Sequence, residues 1–287
     1  MSTVSYLPPP PNGQVLSLVS ALSQTENHDL HVQAIRARDE AFSSPSSYGN
    51  LCLQLAFLLV STDQPDQLLK RINASDLELW RRTDANTIGR IQANPTLWIP
   101  FGQMAGLILK NALLRPPVHA GSNRTITLDS ENAARIKEVL LYGMFLSHNE
   151  LINVISSVIA DCAVSTDGVQ PYLNIKNWPE LMPMIVRNLT PNINNNQQRI
   201  HGTILTTKKL MEDDPNEIPL ADLDNLIPLL LQLFKHSDET IKVATLQSLV
   251  ACLAFGLVPS ALVLHFSTYL EGLSLLATDQ SMQVRKW

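Results

Sequence analysis

Three basic residues recur at a fixed interval of 43 residues in the C-terminal half of the chain: Arg199, Lys242 and Arg285. Before each of them lies a stretch with the apolar spacing of a helix and then a short polar break, and a second helical stretch follows the first two. A period of this size, built from two helices, is typical of solenoids made of stacked helix pairs. Such proteins work through an extended surface, so a binding role is expected before a catalytic one.

The period predicts an all-α fold, a right-handed α-solenoid of HEAT-type antiparallel helix pairs. The chain has 287 residues, of which 45% are hydrophobic and only 6% aromatic, so leucine, isoleucine and valine supply the core between stacked helices. At about 40 to 47 residues per repeat, the chain holds about five and a half repeats. The last pair stops at Trp287, where its second helix is due. We therefore expect a solenoid over residues 14–287 that is truncated at its C-terminus.

Two segments depart from the repeat pattern. Residues 1–13 are rich in proline and are expected to form a disordered lead-in. Residues 61–97 are polar and contain charged pairs, and one helix is expected around Asp66–Arg82. We interpret this second segment as an insertion that rests on the solenoid without belonging to it.

Apolar spacing predicts the remaining helices. Those with defined bounds cover residues 14–22, 31–42, 49–60, 98–114, 149–164, 178–189 and 196–211. Asp129 or Ser130 is expected to cap one further helix, whose buried stripe begins at Ile136. A sixth pair opens with Leu262 and continues to Leu276 as one helix.

Charge and cysteine content limit the classes of partner. The formal net charge is −5 at pH 7, and phosphate binding needs a basic face, so nucleic acid is not expected and basic proteins are the better partners. Cys52, Cys162 and Cys252 each lie alone in an apolar helical stretch. This pattern predicts buried, reduced thiols in an intracellular protein, without disulfides or a zinc site.

The sequence contains no pattern that supports catalysis. A phosphate-binding loop, a nucleophile elbow and a pair of catalytic carboxylates are all lacking, so we expect no enzyme activity and no cofactor. None of the seven histidines has metal-ligand spacing with a carboxylate or cysteine. The longest apolar runs, such as Leu226–Phe234, are too short to span a membrane.

Three sets of short motifs resemble the importin-β family of nuclear transport receptors. The segment Ala105–Asn111 (AGLILKN) is similar to the characteristic motif of that family's second repeat, and Asn177–Pro183 (NWPELMP) is similar to the motif that starts its fourth repeat. The segments FKHS at 234–237, IK at 241–242 and VRK at 284–286 resemble the transportin branch. Their order and spacing over residues 98–287 fit repeats two to six.

The resemblance implies the N-terminal portion of a nuclear import receptor. In that family the N-terminal repeats bind the GTPase Ran in its GTP state. More C-terminal repeats, mostly absent here, bind cargo with proline-tyrosine-type nuclear localisation signals. Nucleoporins are further implied partners, and the implied location is the cytoplasm and the nucleus, between which the receptor shuttles. A generic HEAT-repeat scaffold for a multiprotein complex, such as a phosphatase regulatory subunit, is the alternative.

The residues that the resemblance nominates for Ran binding form two groups. They are Gly106, Lys110 and Asn111 in the second-repeat motif, and Glu212, Asp213 and Asp214 at the end of the second helix of repeat four. Glycine within a helix costs up to about 1 kcal/mol, and either close helix packing or a close approach of Ran would explain it. Acidic residues at a helix C-terminus oppose the macrodipole, so contact with basic residues of Ran and a solvated acidic loop are both open.

Two further sets of residues are expected to hold the repeats together. Arg199, Lys242 and Arg285 are predicted to form a ladder with Asp or Asn side chains of adjacent repeats. The residues expected to support packing between repeats are Trp178, Pro179, Pro183 and Pro228. Proline at a helix start lacks an N–H that would have no partner there, whereas proline inside a helix bends it.

Overall fold

A computed structural model describes residues 10–23, 28–118, 125–165, 170–190, 196–254 and 260–286. Within these residues the regular elements are helices, apart from one isolated bridge between Val118 and Thr125. The α-helices are α1 (Gly13–Ser23), α2 (His28–Phe42), α3 (Pro45–Ser61), α4 (Pro65–Arg71), α5 (Ala74–Ala93), α6 (Trp98–Leu114), α7 (Ser130–Gly143), α8 (Asn149–Ala163), α9 (Leu181–Leu189), α10 (Gln197–Asp213), α11 (Leu220–Leu233), α12 (Glu239–Ala254), α13 (Ser260–Leu264), α14 (Phe266–Ala277) and α15 (Met282–Arg285). Short 3₁₀ helices cover Pro95–Leu97, Pro171–Leu173, Ile175–Asn177 and Pro215–Glu217. The prediction of an all-α fold is confirmed.

The chain divides into two compact units. The first comprises Met1–Val158 and Asp167–Leu173, and the second comprises Ile159–Thr166 and Asn174–Trp287. In the first unit, α3 packs against α6 and α7, and α1 packs against α2, α5 and α6. In the second unit, α9 pairs with α10 and α11 with α12, while α9 contacts α11 and α10 contacts α12. Equivalent helices of successive pairs are therefore neighbours, as in a solenoid.

Residues 61–97 belong to the core of the first unit. Trp80 of α5 is fully buried, and its ring centroid lies 5.7 Å from that of Trp98 and 5.5 Å from that of Phe101. The other buried apolar residues of this segment are Leu68, Ile72, Ile88 and Ile91. The interpretation that the segment only rests on the solenoid is therefore wrong, because its apolar side chains share a core with α1 and α6.

The single helix expected around Asp66–Arg82 is in fact two helices, α4 and α5. Helix α5 is itself kinked at Asp84, which has the non-helical φ/ψ pair −153° and 75°. The Asp84 carboxylate accepts hydrogen bonds from Thr87 N at 3.0 Å and from Ser20 Oγ at 2.5 Å. Asp84 thus caps the second half of α5 and ties the kink to α1.

The predicted lead-in ends earlier than expected. Residues 1–9 lie outside the described residues, but Asn12 N donates a hydrogen bond to Gln54 Oε1 at 3.0 Å and Gly13 N donates to Asp76 Oδ1 at 2.8 Å. A Cβ atom on Gly13 would lie 2.5 Å from the carbonyl oxygen of Asp76. Gly13 is thus the first residue of α1 and is packed closely against the start of α5, so a boundary at residue 13 is wrong.

The prolines near Trp178 do not have the predicted packing role. Trp178 is buried, but α9 begins only at Leu181, so Pro179 lies in the preceding turn. Pro179 and Pro183 are exposed. Pro183 is the third residue of α9, where a missing N–H leaves no helical hydrogen bond unmade. Pro228 lies beyond the first turn of its helix, α11, where it removes one such bond.

Two apolar segments also differ from expectation. The predicted helix from Leu262 to Leu276 is broken at His265 into α13 and α14. By length and composition alone, Pro95–Leu114 is one helical stretch of the described chain that could cross a membrane, and 50% of it is buried inside the protein. The longest apolar runs were expected to be too short to span a membrane, whereas this stretch, made of the 3₁₀ helix Pro95–Leu97 and the core helix α6, is long enough.

Candidate functional site

Gly106 allows close packing of three helices in the first unit. It is buried on α6, and a Cβ atom there would collide with Val154 Cγ1 of α8 and lie 3.1 Å from Leu59 Cδ2 of α3. A Cβ atom could be accommodated there only if the Val154 and Leu59 side chains, or the helices that carry them, shifted. Of the two explanations for a glycine at this position, the structure supports close helix packing.

The polar residues after Gly106 have different surroundings. Lys110 Nζ donates a hydrogen bond of 2.7 Å to Ser157 Oγ, which links α6 to α8. Asn111, one residue further, is exposed. Its side-chain amide can both donate and accept hydrogen bonds. Of the two polar residues of this motif, Asn111 is therefore the better placed to contact a partner directly.

The acidic group at residues 212–214 lies at the end of α10 in the second unit. Glu212 is flanked by Lys208 Nζ at 3.6 Å and Lys209 Nζ at 3.3 Å, within the same helix. Asp214 accepts a hydrogen bond from Asn216 N at 3.0 Å and caps the 3₁₀ helix Pro215–Glu217. Asp213, between them, is exposed. The two lysines and the capping bond offset the unfavourable position of these charges at a helix C-terminus.

The ladder residues make the predicted type of contact in one case. Lys242 Nζ lies 2.5 Å from Asp279 Oδ2, and both side chains are mostly buried. The hydrogen bond from Lys242 lowers the pKa of the Asp279 carboxyl below its ordinary value. Arg285 instead donates to the backbone carbonyl oxygens of Asp279 and Gln280 at 2.5 and 2.9 Å. Ladder roles for Arg199 and Arg285 stay predictions.

The acceptor residues of this ladder were missed at the level of sequence. Asp238 accepts a hydrogen bond of 2.9 Å from Gln197 Nε2, as Asp279 does from Lys242. The bond to Gln197 joins α10 to the turn before α12, and the bond from Lys242 joins α12 to the turn before α15. The recurrence of aspartate at the turn before the second helix was the available signal.

The three cysteines are free and buried, as predicted. Burial raises the pKa of the Cys252 thiol to about 11. Among the residues that the structure describes, no group of three or more His, Cys, Asp and Glu side chains could hold a metal ion.

The chain is similar in sequence to nuclear import proteins, although no family model matches it. Importin subunit beta-2 of Schizosaccharomyces pombe is 29% identical over 197 residues, which is 66% of this chain and 20% of that protein. Transportin-1 of Mus musculus is 31% identical over 245 residues, which is 81% of this chain and 24% of that protein, and Transportin-1 of Homo sapiens matches to the same extent. The chain thus spans about a fifth to a quarter of the length of these relatives.

A solved structure of importin beta has the same fold. Its TM-score is 0.62 at 14% sequence identity, and the match covers 95% of this chain and 27% of that one. The stacked helix pairs and this likeness define the chain as an α-solenoid repeat protein. Together with the sequence matches, they show that the chain belongs to the importin-β family, with similarity to its transportin members. None of the matched relatives is named as an enzyme.

Proposed function

We propose that this chain is the Ran-binding portion of a nuclear import receptor of the transportin type. The observation that carries the proposal is the 31% identity with Transportin-1 over 81% of the chain. On this proposal the complete receptor carries proteins with proline-tyrosine-type localisation signals and shuttles between cytoplasm and nucleus. The matches favour a transport receptor over a phosphatase scaffold, because the matched relatives are named importins and transportins.

Two separate contacts with Ran are proposed, one at the C-terminal end of α6 in the first unit and one at the C-terminal end of α10 in the second unit. Asn111 and Asp213 are exposed there. The side chain of Glu212 is also partly exposed, although two lysines flank it. Gly106 contributes indirectly, since its lack of a side chain lets α6 and α8 approach. Lys110 is proposed to hold the same pair of helices through Ser157.

Charge neutralisation tests the contact at the end of α10. Changing Glu212, Asp213 and Asp214 together to Gln, Asn and Asn keeps the shape of each side chain, and Asn retains the oxygen that caps the 3₁₀ helix. Three exposed charge contacts are worth about 1–2 kcal/mol in total, so affinity for Ran-GTP should fall by about 5- to 30-fold. The loss should shrink as salt is raised, because salt screens the wild-type attraction.

A matched control has the same change in net charge elsewhere in the second unit. The triple variant Glu180→Gln, Glu239→Gln and Glu271→Gln alters three exposed residues and should leave affinity within about twofold of wild type. Pulldown with immobilised Ran, loaded in turn with GTP and GDP, gives the readout. Equal retention of the chain by both forms would contradict the proposal, and equal losses for the two triple variants would contradict the assigned surface.

A further inference from the structure

An apolar cavity of about 420 Å³ lies in the first unit between α1, α2, α3 and α5. One wall is formed by Ala34, Ala37 and Ala41 of α2. Their spacing of three and four residues puts all three side chains on the same face of the helix. Ala21 of α1 also lines the cavity. These four small side chains leave space that larger apolar residues would fill.

The described lining residues include none with a charge. Several polar ones are engaged within the protein: Ser17 Oγ donates to Thr83 Oγ1 at 3.2 Å, and Ser47 Oγ donates to the carbonyl oxygen of Ala41 at 2.8 Å. Gln14 and Asn50, whose side chains end in amides, also line the cavity and are exposed. A molecule in the cavity would therefore meet mostly apolar carbon and could reach two amide groups.

Helix α5 completes the cavity through Leu79 and Thr83. This helix comes from residues 61–97, the segment that interrupts the repeat pattern of the sequence. Leu79 is 41% exposed, so its side chain can still lose contact with water when a ligand is bound. The segment thus adds a wall to a cavity that α1, α2 and α3 alone would leave open.

We propose that this cavity binds one uncharged, largely apolar small molecule, with a single hydrogen-bonding group directed to Gln14 and Asn50. The volume falls within the roughly 300–1,000 Å³ that is typical of small-molecule sites, which are mostly apolar with a few polar groups. A charged ligand is disfavoured because none of the described lining residues carries a charge that could compensate a buried one. The proposal is independent of Ran binding, since no candidate Ran-binding residue lines the cavity.

Titration with the neutral fluorescent probe N-phenyl-1-naphthylamine tests the proposal on the whole chain. Fluorescence should rise to saturation at one probe per chain. The neutral alcohol 1-decanol should displace the probe at a concentration at least about tenfold lower than decanoate or decylammonium, because none of the described lining residues carries a compensating charge. Absence of saturable binding, or equal displacement by the neutral and charged ligands, would overturn the proposal.

Four variants locate the bound probe. Ala37→Trp fills the cavity and Leu79→Asp places a charge in its wall, so each should weaken probe binding by at least about tenfold. Both positions are exposed, and circular dichroism verifies that each variant is folded. Ala85→Trp, at an exposed position of α5 outside the lining, is the matched control for the first change.

Leu264→Asp is the control for the second change. Leu264 is 80% exposed on α13, where an exposed apolar surface could attract the same probe. Both control variants should bind the probe as wild type does. Loss of binding in Leu264→Asp, with binding retained in Ala37→Trp and Leu79→Asp, would place the probe on α13 and overturn the proposal.

Discussion

Replacing Trp80 by alanine is the sharpest test of how residues 61–97 contribute to the fold. The Trp80 side chain is fully buried and lies between 5 and 6 Å from the ring centroids of Trp98 and Phe101. Truncating a buried tryptophan leaves a cavity that the neighbouring rings cannot fill, which costs about 3–5 kcal/mol of unfolding free energy. For a unit of this size, the melting temperature should fall by roughly 6–20 °C, as followed by circular dichroism.

Leu79→Ala provides the matched control for Trp80→Ala. Leu79 is the preceding residue of α5 and is 41% exposed, so its truncation should cost less than about 1 kcal/mol. A large difference between the two variants means that α5 is part of the core. Melting temperatures that fall equally little in both variants would show that α5 is peripheral and would refute the reasoning.

Three further predictions concern packing, charge and thiol reactivity. Gly89 and Gly106 are both helical, but a Cβ atom at Gly89 would have nothing within 4 Å. In urea titrations, Gly89→Ala should therefore raise the free energy of unfolding by about 0.5–1 kcal/mol, and Gly106→Ala should lower it by about 1–3 kcal/mol. The opposite order would contradict the packing. Lys242 lowers the pKa of Asp279 from its ordinary value of 3.8, so their pairing stabilises the fold above about pH 3.8 and is lost as pH falls through the lowered pKa. Between about pH 6 and pH 2 the melting temperature of Asp279→Asn should therefore fall less than that of the wild type. An equal fall in both proteins would count against the pair. Burial raises the pKa of the Cys252 thiol to about 11. At about pH 7.5 a thiol reagent should therefore label Cys252 far more slowly in native than in urea-unfolded protein. Equally fast labelling would show that the thiol is accessible.

The parts of the fold with strong periodicity could be predicted from the sequence. Helix α6 has the predicted bounds, Trp98–Leu114, because an apolar run and a following proline pair define both of its ends. Asp129 caps α7 as expected, by accepting a hydrogen bond of 2.8 Å from Asn132 N. In these elements the local signal and the tertiary packing agree.

Helix α5 shows why the rest could not be predicted from composition. Its average composition is polar, which suggested a peripheral segment, yet Trp80, Ile88 and Ile91 are buried. Their separations of eight and three residues put them on one helical face, although the kink at Asp84 changes the direction of the helix between them. A search for spacing rather than for average polarity would have identified the buried face.

The surroundings of the candidate site residues depended on tertiary structure. The sequence left open whether Gly106 serves packing or contact with a partner, and only the positions of Val154 and Leu59 favour packing. Arg285 binds backbone carbonyl groups, which every residue carries and which no sequence pattern marks. Asp214 as a cap of the next turn could have been recognised from the Asp-Pro-Asn sequence that it begins.

The most direct test of the proposed function is the affinity of this chain for Ran in its two nucleotide states. Isothermal titration of the purified chain with Ran-GTP and with Ran-GDP, at the same salt concentration, measures both dissociation constants. We predict saturable one-to-one binding of Ran-GTP that is at least about tenfold tighter than that of Ran-GDP, a difference of about 1.4 kcal/mol. Equal dissociation constants, or no binding of either form by a folded chain, would contradict the proposal.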